Sequence, residues 1–515
     1  MTSSTEEQLN QKPFSEDPIT EDLSGRYKED EDLEEEEDEE EVVTETSRMI
    51  SDQNKLKNFI HRLSKERVNL RVHDVIIEGN IKTKESFIEA EVEILKNATC
   101  MQELLQAANI VNERLESLEI FDAVHITFDS GPAELPGTAN VTVKVVEPKN
   151  PVVGNVGIFS KPETRSWSLE GSVKFRNLFG YGDIWEALGA YGWDQATEVS
   201  LGVSLPRFKR LSTPTSAKVS VFTQDWLKLS SYKERMMGLS LDLYTTQNHN
   251  LSYNLGWRTL TDPSQMASRS VRDQLGHSLI SSLKYRFLID KRDSSLRPTR
   301  GYAFSSITQL TGLTPDSRSP RFIRQEFDFR FALPLGFYNA ALNFGVSLGA
   351  LFPWGSGYTN KSSPLPDRFF LGGQSSAVCT LGGPSSLLGF KPRGVGLTEE
   401  RRKILNSEDD DGSRDVLGGD LALTAYADLS FNLPLKALRD AGIHGHAFAS
   451  TGTVSKLGLN EIRNSGKSFR TSVGAGVIIP TNVFRMEINY CYIVKKLEHD
   501  SGKTGIQFNF SMPSF

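Results

Sequence analysis

The amino-acid sequence predicts a β-barrel of sixteen antiparallel strands that spans a membrane and is preceded by one small α+β domain. From residue 154 onward, apolar and polar side chains alternate with a period of two, which is typical of strands with one apolar and one polar face. Most of these segments exceed the ~5–6 residues of a globular strand and reach the ~9–11 that cross a bilayer at a tilt. Their even number suits a closed antiparallel barrel.

The predicted strands follow one another without intervening helices. Connections after even-numbered strands are short, whereas some after odd-numbered strands are long, above all 353–419, and this asymmetry is typical of bacterial-type barrels. A soluble β-sandwich also shows alternation, but the length and number of the strands favour a barrel. The sixteen segments are 154–160, 166–178, 181–193, 196–206, 216–226, 232–244, 248–260, 277–289, 302–312, 320–333, 338–352, 420–433, 442–450, 468–480, 483–495 and 503–511.

The tenth segment has two clearly different faces. Phe327, Phe329 and Phe331 share one face, and Asp328 and Arg330 share the other. In a membrane barrel the apolar face contacts lipid and the polar face lines the lumen, so we expect both charged side chains to point inward. The chain contains no run of eighteen apolar residues, so the sequence predicts no transmembrane helix.

The N-terminal segment 1–50 differs in composition from the rest of the chain. It carries 19 acidic and 4 basic residues, whereas the whole chain has a net charge of −8. A run of like charges without aromatic residues, such as Glu29–Glu41, cannot bury enough surface to fold. We expect a disordered, solvated tail, with an acidic docking segment for basic peptides as the alternative. The N-terminus lacks the basic and apolar regions of a secretory signal and the arginines of a transit peptide.

Two further units precede the barrel. Residues 51–69 predict a short amphipathic helix and a linker. Residues 70–148 predict a compact domain with the order β-α-α-β-β, in which the apolar face of the second helix contains Leu104, Val111 and Leu115. Pro148 and Pro151 then mark the linker to the barrel, which we place at 154–515.

No catalytic or metal-binding pattern is present in the sequence. Cys100, Cys379 and Cys491 are far apart and lack the spacing of a zinc site or a disulfide framework. The sequence contains no HExxH or phosphate-binding GxxxxGK[ST] motif. We therefore expect neither an enzyme nor a protein that needs a cofactor or a metal.

Five features resemble a single family. Residues 177–183 read NLFGYGD, residues 369–373 read FFLGG, and residues 387–390 read LLGF. The β-α-α-β-β unit looks like a polypeptide-transport-associated (POTRA) domain. Together with the turn described next, they resemble the outer-membrane β-barrel assembly superfamily of bacteria, mitochondria and chloroplasts over residues 70–515. The most specific feature is the segment DKRDSSLRPTRGY at 290–302, whose family turn motif comprises Asp290, Arg292, Asp293, Pro298 and Gly301.

A single POTRA-like domain without a cleavable presequence resembles the channel subunit of the mitochondrial sorting and assembly machinery. This resemblance implies a protein of the mitochondrial outer membrane whose N-terminal domain lies in the intermembrane space. It implies insertion of unfolded β-barrel precursors, with other subunits of the machinery and the lipid bilayer as partners and no nucleic acid. The alternatives are a protein-conducting or metabolite pore, including one of a plastid outer envelope, and a soluble β-rich protein.

The first and last strands are the predicted lateral gate. The first strand is short and contains Gly154 and Gly157, and glycine weakens a strand; opening there would offer an edge for templated strand pairing. We expect cysteines at Val156 and Gln507, or at nearby positions where the register requires them, to lock this gate. The last strand resembles the signal that assembly machines recognise in client barrels. The alternation of polar and apolar residues alone is not specific, because any final barrel strand shows it. The gate set is Gly154, Val156, Gly157, Ile158, Ser160, Gly505, Gln507, Phe508 and Phe510, and the signal is Lys503, Gly505, Phe508 and Phe510.

The long loop 353–419 is expected to fold into the lumen. The family normally carries Arg-Gly-Phe or Arg-Gly-Tyr there, but this chain has Leu388, Gly389 and Phe390. Because the arginine is missing, we expect Arg393 to replace it and to pair with the inward-facing Asp428. The loop also has an acidic insertion at 409–411.

Overall fold

The computed structural model describes residues 68–511, except for residues 247, 374, 375 and 380 and the segments 162–165, 208–212, 316–318, 356–361, 403–412, 459–467 and 481–484. The tail predicted over 1–50 and the acidic insertion at 409–411 lie outside the described residues. The same holds for all but the last two residues of the helix and linker predicted over 51–69.

The N-terminal module has the predicted order β-α-α-β-β. The central strand of its three-stranded sheet is β3, since the order is β1-β3-β2. Residues three and four apart share one face of a helix, and Leu104, Val111 and Leu115 on the second helix are all buried. The elements are β1 (Arg71–Glu78), α1 (Glu85–Lys96), α2 (Met101–Ser117), β2 (Ala123–Ser130) and β3 (Thr138–Val146).

Sixteen strands form the barrel, as the alternation predicts, and the fold class is confirmed. They are β4 (Val152–Lys161), β5 (Ser166–Arg176), β6 (Ile184–Gly192), β7 (Thr197–Leu205), β8 (Thr215–Asp225), β9 (Lys233–Thr246), β10 (His249–Thr261), β11 (Gly276–Asp290), β12 (Gly301–Thr311), β13 (Phe322–Pro334), β14 (Ala341–Pro353), β17 (Leu421–Asn432), β18 (His444–Ser455), β19 (Arg470–Pro480), β20 (Arg485–Lys495) and β21 (Gly505–Ser511). Two short strands, β15 (Thr398–Glu400) and β16 (Arg414–Val416), form a separate hairpin inside the long loop.

Each barrel strand pairs antiparallel with its neighbour in sequence, and β14 pairs with β17 across the long loop. Successive connections therefore lie at alternating ends of the barrel. We call the end with the connections that follow β5, β7, β9 and β11 the turn end, and the opposite end, which contains the connection from β14 to β17, the loop end. Short helices lie in the connections, at Leu227–Ser230, Leu365–Asp367 (a 3₁₀ turn), Arg269–Arg272 and Lys436–Asp440.

The two faces of the barrel wall have the predicted polarity. On β13, Phe329 is 48% exposed on the outer face, and Asp328 is 1% exposed on the inner face. The register pairs Phe329 with Val346 and Asp328 with Ser347 on β14, so outward positions meet outward positions across the sheet. The apolar outer face suits lipid. No helix among the described residues is long and apolar enough to cross a membrane.

Candidate functional site: the seam and the inward loop

The first and last barrel strands are the two edges of the sheet, and we call them together the seam. β4 forms a ladder with β5, and β21 forms one with β20. The order of paired strands runs from β21 to β4, and no ladder between these two appears in the described part of the chain. An edge strand presents backbone N–H and C=O groups that can template pairing with another strand.

The strand lengths at the seam differ from the prediction. β4 has 10 residues rather than the seven of 154–160, and β21, with 7 residues, is the shorter edge. β4 begins directly after Pro151, because proline lacks only the N–H group: its carbonyl oxygen still accepts a hydrogen bond from the Arg176 amide at 2.8 Å. The linker therefore continues into the ladder, and the short strand is the last one.

Side chains at the seam alternate between lipid and lumen. Val156 on β4 is 80% exposed on the outer face, and Phe508 on β21 is 56% exposed on the same face. Gln507 is 1% exposed and points inward. The expected lock between Val156 and Gln507 is therefore wrong, because the two side chains lie on opposite faces of the wall. The remaining gate residues keep their predicted strands: Gly154, Gly157, Ile158 and Ser160 lie in β4, and Gly505 and Phe510 lie in β21.

The long loop enters the lumen and reaches the opposite end of the barrel. It starts at the loop end after β14, yet the carbonyl oxygen of Val378 accepts a hydrogen bond from Arg292 Nη1 at 2.9 Å, in the connection that follows β11 at the turn end. Midway, the Gly382 amide donates to Asp328 Oδ2 on β13 at 3.0 Å. The expectation of an inward loop agrees with this path, which fills the part of the lumen beside β13.

The turn motif at 290–302 holds one end of this path. Arg292 forms a bidentate pair with Asp290, with distances of 2.9 and 2.6 Å. Asp293 accepts hydrogen bonds from the amides of Ser294, Thr299 and Arg300. Burial alone would raise the pKa of Asp293, but a hydrogen bond from the Thr299 hydroxyl together with these backbone hydrogen bonds lowers it below its usual value. The motif is therefore a fixed turn that aims Arg292 at the loop. Its other two residues are Pro298, which is buried, and Gly301, which begins β12.

Leu388 occupies an apolar contact on the inner wall. It clusters with Phe448 of β18 and Cys491 of β20, and its carbonyl oxygen accepts a hydrogen bond from Ser472 Oγ of β19 at 2.5 Å. The next residues, Gly389 and Phe390, contact the chain that leads into β21. Where the family carries an arginine, this chain therefore anchors its loop by apolar packing.

The expected pair between Arg393 and Asp428 is wrong. The Arg393 guanidinium lies over the rings of Trp226 at 3.3 Å and Phe370 at 3.9 Å, and it donates to Tyr232 Oη at 3.3 Å. It turns away because its backbone has a φ of +53° and aromatic side chains at the loop end attract a cation.

The side chain beside Asp428 is instead that of a histidine, His446. His446 Nδ1 lies 2.7 Å from Asp428 Oδ1, and its Nε2 lies 2.6 Å from Asn489 Oδ1. Asn489 Nδ2 donates to Glu487, which leaves its oxygen facing the imidazole. Both ring nitrogens therefore face acceptors, which the doubly protonated form of His446 satisfies.

Several connections pack together at the loop end and form a cap. We define it as the connections 226–232 and 262–275 together with the β15–β16 hairpin. Asp415 of β16 is fully buried and accepts hydrogen bonds from Ser231 Oγ at 2.6 Å, the Ser268 amide at 2.8 Å and Arg401 Nε at 2.8 Å. One buried carboxylate thus joins all three parts of the cap.

The lumen wall has a covered half and an open half. Beside the loop, the pair Arg485–Glu487 is almost completely buried at 2.7 Å. On β7 and β8, the pair Glu198–Lys218 is partly exposed at 3.3 Å. The loop therefore covers the wall from β13 to β21, and the wall from β7 to β10 faces open lumen. Among the described residues, no group of three or more His, Cys, Asp or Glu could hold a metal ion.

Sequence reasoning missed several residues of this site. Asp415, Gly382 and Asp328 contact partners that are far away in the sequence, and no local pattern marks such contacts. Gln507 was placed at the gate, but its buried contact with the loop was not predicted. Its inward position follows from the alternation with Phe508, and that was the one available signal.

The comparisons with known proteins agree with this architecture. A family model described as the Omp85 superfamily domain matches residues 177–513. A second model, described as the surface antigen variable number repeat of the POTRA type, matches residues 70–148. BamA from Haemophilus ducreyi, solved without POTRA domains 1–3, has a similar fold, with a TM-score of 0.68, 19% identity and coverage of 85% of this chain and 84% of that chain.

Curated relatives match most of the chain. The sorting and assembly machinery component 50 homolog of Mus musculus is 28% identical and covers 86% of this chain and 90% of the mouse protein. The protein of the same name from Homo sapiens is also 28% identical, with the same coverage. A SAM50-like protein of Schizosaccharomyces pombe is 26% identical over 85% of this chain and 89% of its own length. Because the superfamily model covers more than half of the residues, the chain belongs to the Omp85 superfamily.

Proposed function

We propose that this protein inserts β-barrel precursors into the mitochondrial outer membrane by templated strand pairing at the seam between β4 and β21. The observation that carries the proposal is the seam itself: every other neighbouring pair of barrel strands forms a ladder, and these two edges do not within the described residues. The seam is a lateral gate, and the incoming precursor strand is its ligand.

The energetics of the bilayer favour exchange at such an edge. An unpaired backbone N–H or C=O group in hydrocarbon costs several kcal/mol. A precursor strand that adds to β4 by β-augmentation satisfies its own groups and those of the edge. When one strand replaces another, the hydrogen bonds lost on one side are regained on the other, so the net cost is small. The reaction needs neither a cofactor nor a catalytic side chain.

The compartment and partners follow from the relatives. The mouse and human proteins are named as components of a sorting and assembly machinery, and this chain resembles the mitochondrial machinery of that name. We therefore assign the protein to the mitochondrial outer membrane rather than to a plastid envelope, with its POTRA-type domain in the intermembrane space. Its partners are unfolded β-barrel precursors and other subunits of the machinery.

The inward loop argues against a simple pore. It spans the lumen from the loop end to Arg292 at the turn end, and the cap is held by the buried Asp415. An open pore for metabolites or proteins needs a clear passage between the two ends. The filled half-lumen therefore favours work at the seam over steady conduction.

Disulfide locking of the seam tests this proposal. We pair a cysteine at Val156 with one at Ile506 or Phe508, because all three side chains are exposed on the outer face. Cysteines at Val219 and Leu239, which are registered neighbours on β8 and β9, form the matched control. The three native cysteines are buried and compete little for oxidation.

We expect oxidation of the seam pair to stop precursor insertion into proteoliposomes and reduction to restore it. The control disulfide should leave insertion unchanged, because it lies within an existing ladder. Normal insertion by the oxidised seam variant, with the disulfide verified by mass spectrometry, would rule out the gate and move the function to the lumen or to a distorted bilayer.

A further inference from the structure

Both backbone polar groups of Gly389 are bound by the chain that enters the last strand. The carbonyl oxygen of Gly389 accepts a hydrogen bond from the Lys503 amide at 2.8 Å, and its amide donates to Gln507 Oε1 at 3.3 Å. Gln507 Nε2 in turn donates to the Lys503 carbonyl oxygen at 2.8 Å. These three hydrogen bonds form a closed ring that joins Gly389, Lys503 and Gln507, and we call it the clasp.

Two glycines make the clasp geometrically possible. Gly505 lies between Lys503 and Gln507 and has a φ of +124°, and Gly389 has a φ of +91°. Residues with a Cβ atom rarely adopt such conformations. A Cβ on Gly389 would also lie 3.3 Å from the Cβ of Ser472. The bend at Gly505 lets the side chain of Gln507 turn back to the Lys503 carbonyl, so the clasp explains the glycine in the last-strand signal.

The surrounding contacts hold the same two segments together. The Lys391 amide donates to the Ser501 carbonyl at 2.9 Å, and the Ser501 amide donates to the Gly394 carbonyl at 2.8 Å. Phe390 forms an antiparallel bridge with Gly502. The loop therefore pairs with residues 501–503 as a short strand would. Most of these contacts use backbone atoms. Gln507 is the residue of this segment whose side chain forms a hydrogen bond with the loop.

The side chain of Gln507 has a demanding environment. It is almost completely buried, and Cys491 Sγ also lies 3.5 Å from its Oε1. Two donors thus point at one oxygen. An apolar side chain at this position would leave the Gly389 amide buried without an acceptor, which is costly. The site therefore discriminates between an oxygen-bearing and an apolar side chain two residues after the glycine.

We propose that the backbone of Gly389 is a recognition site for the signal strand of incoming precursors, and that it selects strands with a side-chain hydrogen-bond acceptor two residues after the signal glycine. This inference rests on the proposed function and names the substrate feature that the seam reads. A precursor strand that takes the place of residues 503–507 in the clasp frees β21 from the loop. Recognition of the precursor and release of the seam are then one exchange.

Peptide competition tests the clasp with the full-length protein in phosphatidylcholine–phosphatidylethanolamine vesicles. The probe is a peptide with residues 501–511 of this chain and a photoreactive residue in place of Thr504, and cross-links to the loop segment around Gly389 are identified by mass spectrometry. Three further peptides carry Gln507→Leu, Gln507→Asn or the control Ile506→Val. Ile506 points to the outer face, so its exchange leaves the inward contacts unchanged.

We expect the Gln507→Leu peptide to need a concentration at least about tenfold higher for half-maximal cross-linking, because it leaves buried donors unpaired. The Gln507→Asn peptide should need a concentration between those of the parent and the leucine peptide. The Ile506→Val peptide should need the same concentration as the parent. Equal cross-linking by the leucine peptide, or no cross-link from the parent peptide, overturns the recognition site.

A parallel precursor-insertion assay separates this inference from the proposed function. If insertion proceeds and the peptides show no selectivity, the clasp is refuted and the seam mechanism stands. If the peptides show the expected order but the protein inserts no precursor, the proposed function is refuted and the binding site stands.

Discussion

Asp428 and His446 form a buried pair across neighbouring strands, with His446 Nδ1 2.7 Å from Asp428 Oδ1. The second oxygen, Asp428 Oδ2, is buried and has no hydrogen-bond partner among the described residues. A small lumen cavity adjoins it, and Leu388, His446 and Glu487 also line this cavity. Two carboxylates therefore face the site at which the loop is anchored by a leucine.

The charge at position 388 should decide whether the loop stays docked. We expect Leu388→Arg to keep the loop in place, because the guanidinium can reach the unpaired oxygen of Asp428. Leu388→Glu should release it, because a third carboxylate meets Asp428 and Glu487 in a poorly solvated site. The measurement is the rate of chymotrypsin cleavage after the buried Phe390 in membranes, which should rise several-fold for the glutamate variant.

Leu388→Ala serves as the size control. Removal of a buried leucine side chain costs about 2–5 kcal/mol in well-packed sites, so this variant should also cleave faster than the parent. Equal protection of the arginine and glutamate variants would mean that Asp428 and Glu487 exert no influence on the loop.

The sequence was sufficient to locate the strands, and the reason is physical. A wall between lipid and lumen imposes a period of two on every strand, and this pattern is local. The predicted Phe327–Phe331 face is therefore correct. The ends of the strands are harder to predict from the sequence, as at Pro151, because the hydrogen-bonded ladder continues for as long as each residue finds a partner on the next strand. The proline signal placed the start of the first strand two residues too late.

The contacts of the loop could not be predicted in the same way. Gly389 and Gln507 are 118 positions apart, and Arg393 and Trp226 are also distant in the sequence. The substitution of leucine for the family arginine suggested that another cation would fill the same role. In the structure the position beside Asp428 is occupied by His446 of β18, which no loop motif could have indicated.

The aromatic contacts of Arg393 should keep the cap closed. Arg393→Ala removes a cation from between the rings of Trp226 and Phe370, and such contacts contribute up to about 2 kcal/mol when they are desolvated. We expect more frequent open-channel events in planar-bilayer recordings of this variant. Lys391→Ala, in the same segment, is the control and should conduct like the parent.

A charge swap provides the counter-test for Arg393. Because Arg393 contacts Tyr232 rather than Asp428, the variant Arg393→Glu/Asp428→Arg should be at least as impaired in assembly as either single variant. Restoration of assembly by the swap would show that the two residues meet in the working protein.

The assignment of the outer and inner faces can be tested with arginine substitutions. We expect Phe329→Arg to destabilise the barrel by about 2–4 kcal/mol if it lies near the bilayer midplane, because the residue faces lipid. Ser240→Arg on β9 should be mild, since it points into the open half of the lumen, where its neighbour Lys218 is also partly exposed. Urea unfolding in lipid vesicles measures the free energy of unfolding of both variants. Equal losses of stability would contradict the assignment of the two faces.

The N-terminal module should fold by itself and should lose stability in acid because of Glu147. Its carboxylate accepts hydrogen bonds from the amides of Lys82 and Thr83, at 3.0 and 2.8 Å, and from the Thr83 hydroxyl. Burial alone would raise the pKa of Glu147, but these hydrogen bonds lower it below its usual value. The unfolded chain lacks these hydrogen bonds, so the folded pKa is the lower of the two. Glu147 therefore adds stability above the unfolded pKa, and this contribution is lost as the pH falls through the folded pKa.

We expect a fragment of residues 66–150 to show one cooperative thermal transition, because Leu104, Val111 and Leu115 give it a buried core. The midpoint temperature of this transition should be lower at pH 3 than at pH 6. Glu147→Gln should lower the midpoint temperature at pH 6 and should reduce the difference between pH 6 and pH 3. The glutamine variant is a matched control, since it keeps the size of the side chain and removes its charge. Calorimetry at several pH values measures both quantities. A fragment without a cooperative transition would show that the module needs the rest of the chain to fold, and an unchanged pH dependence in Glu147→Gln would assign the acid sensitivity to other carboxylates.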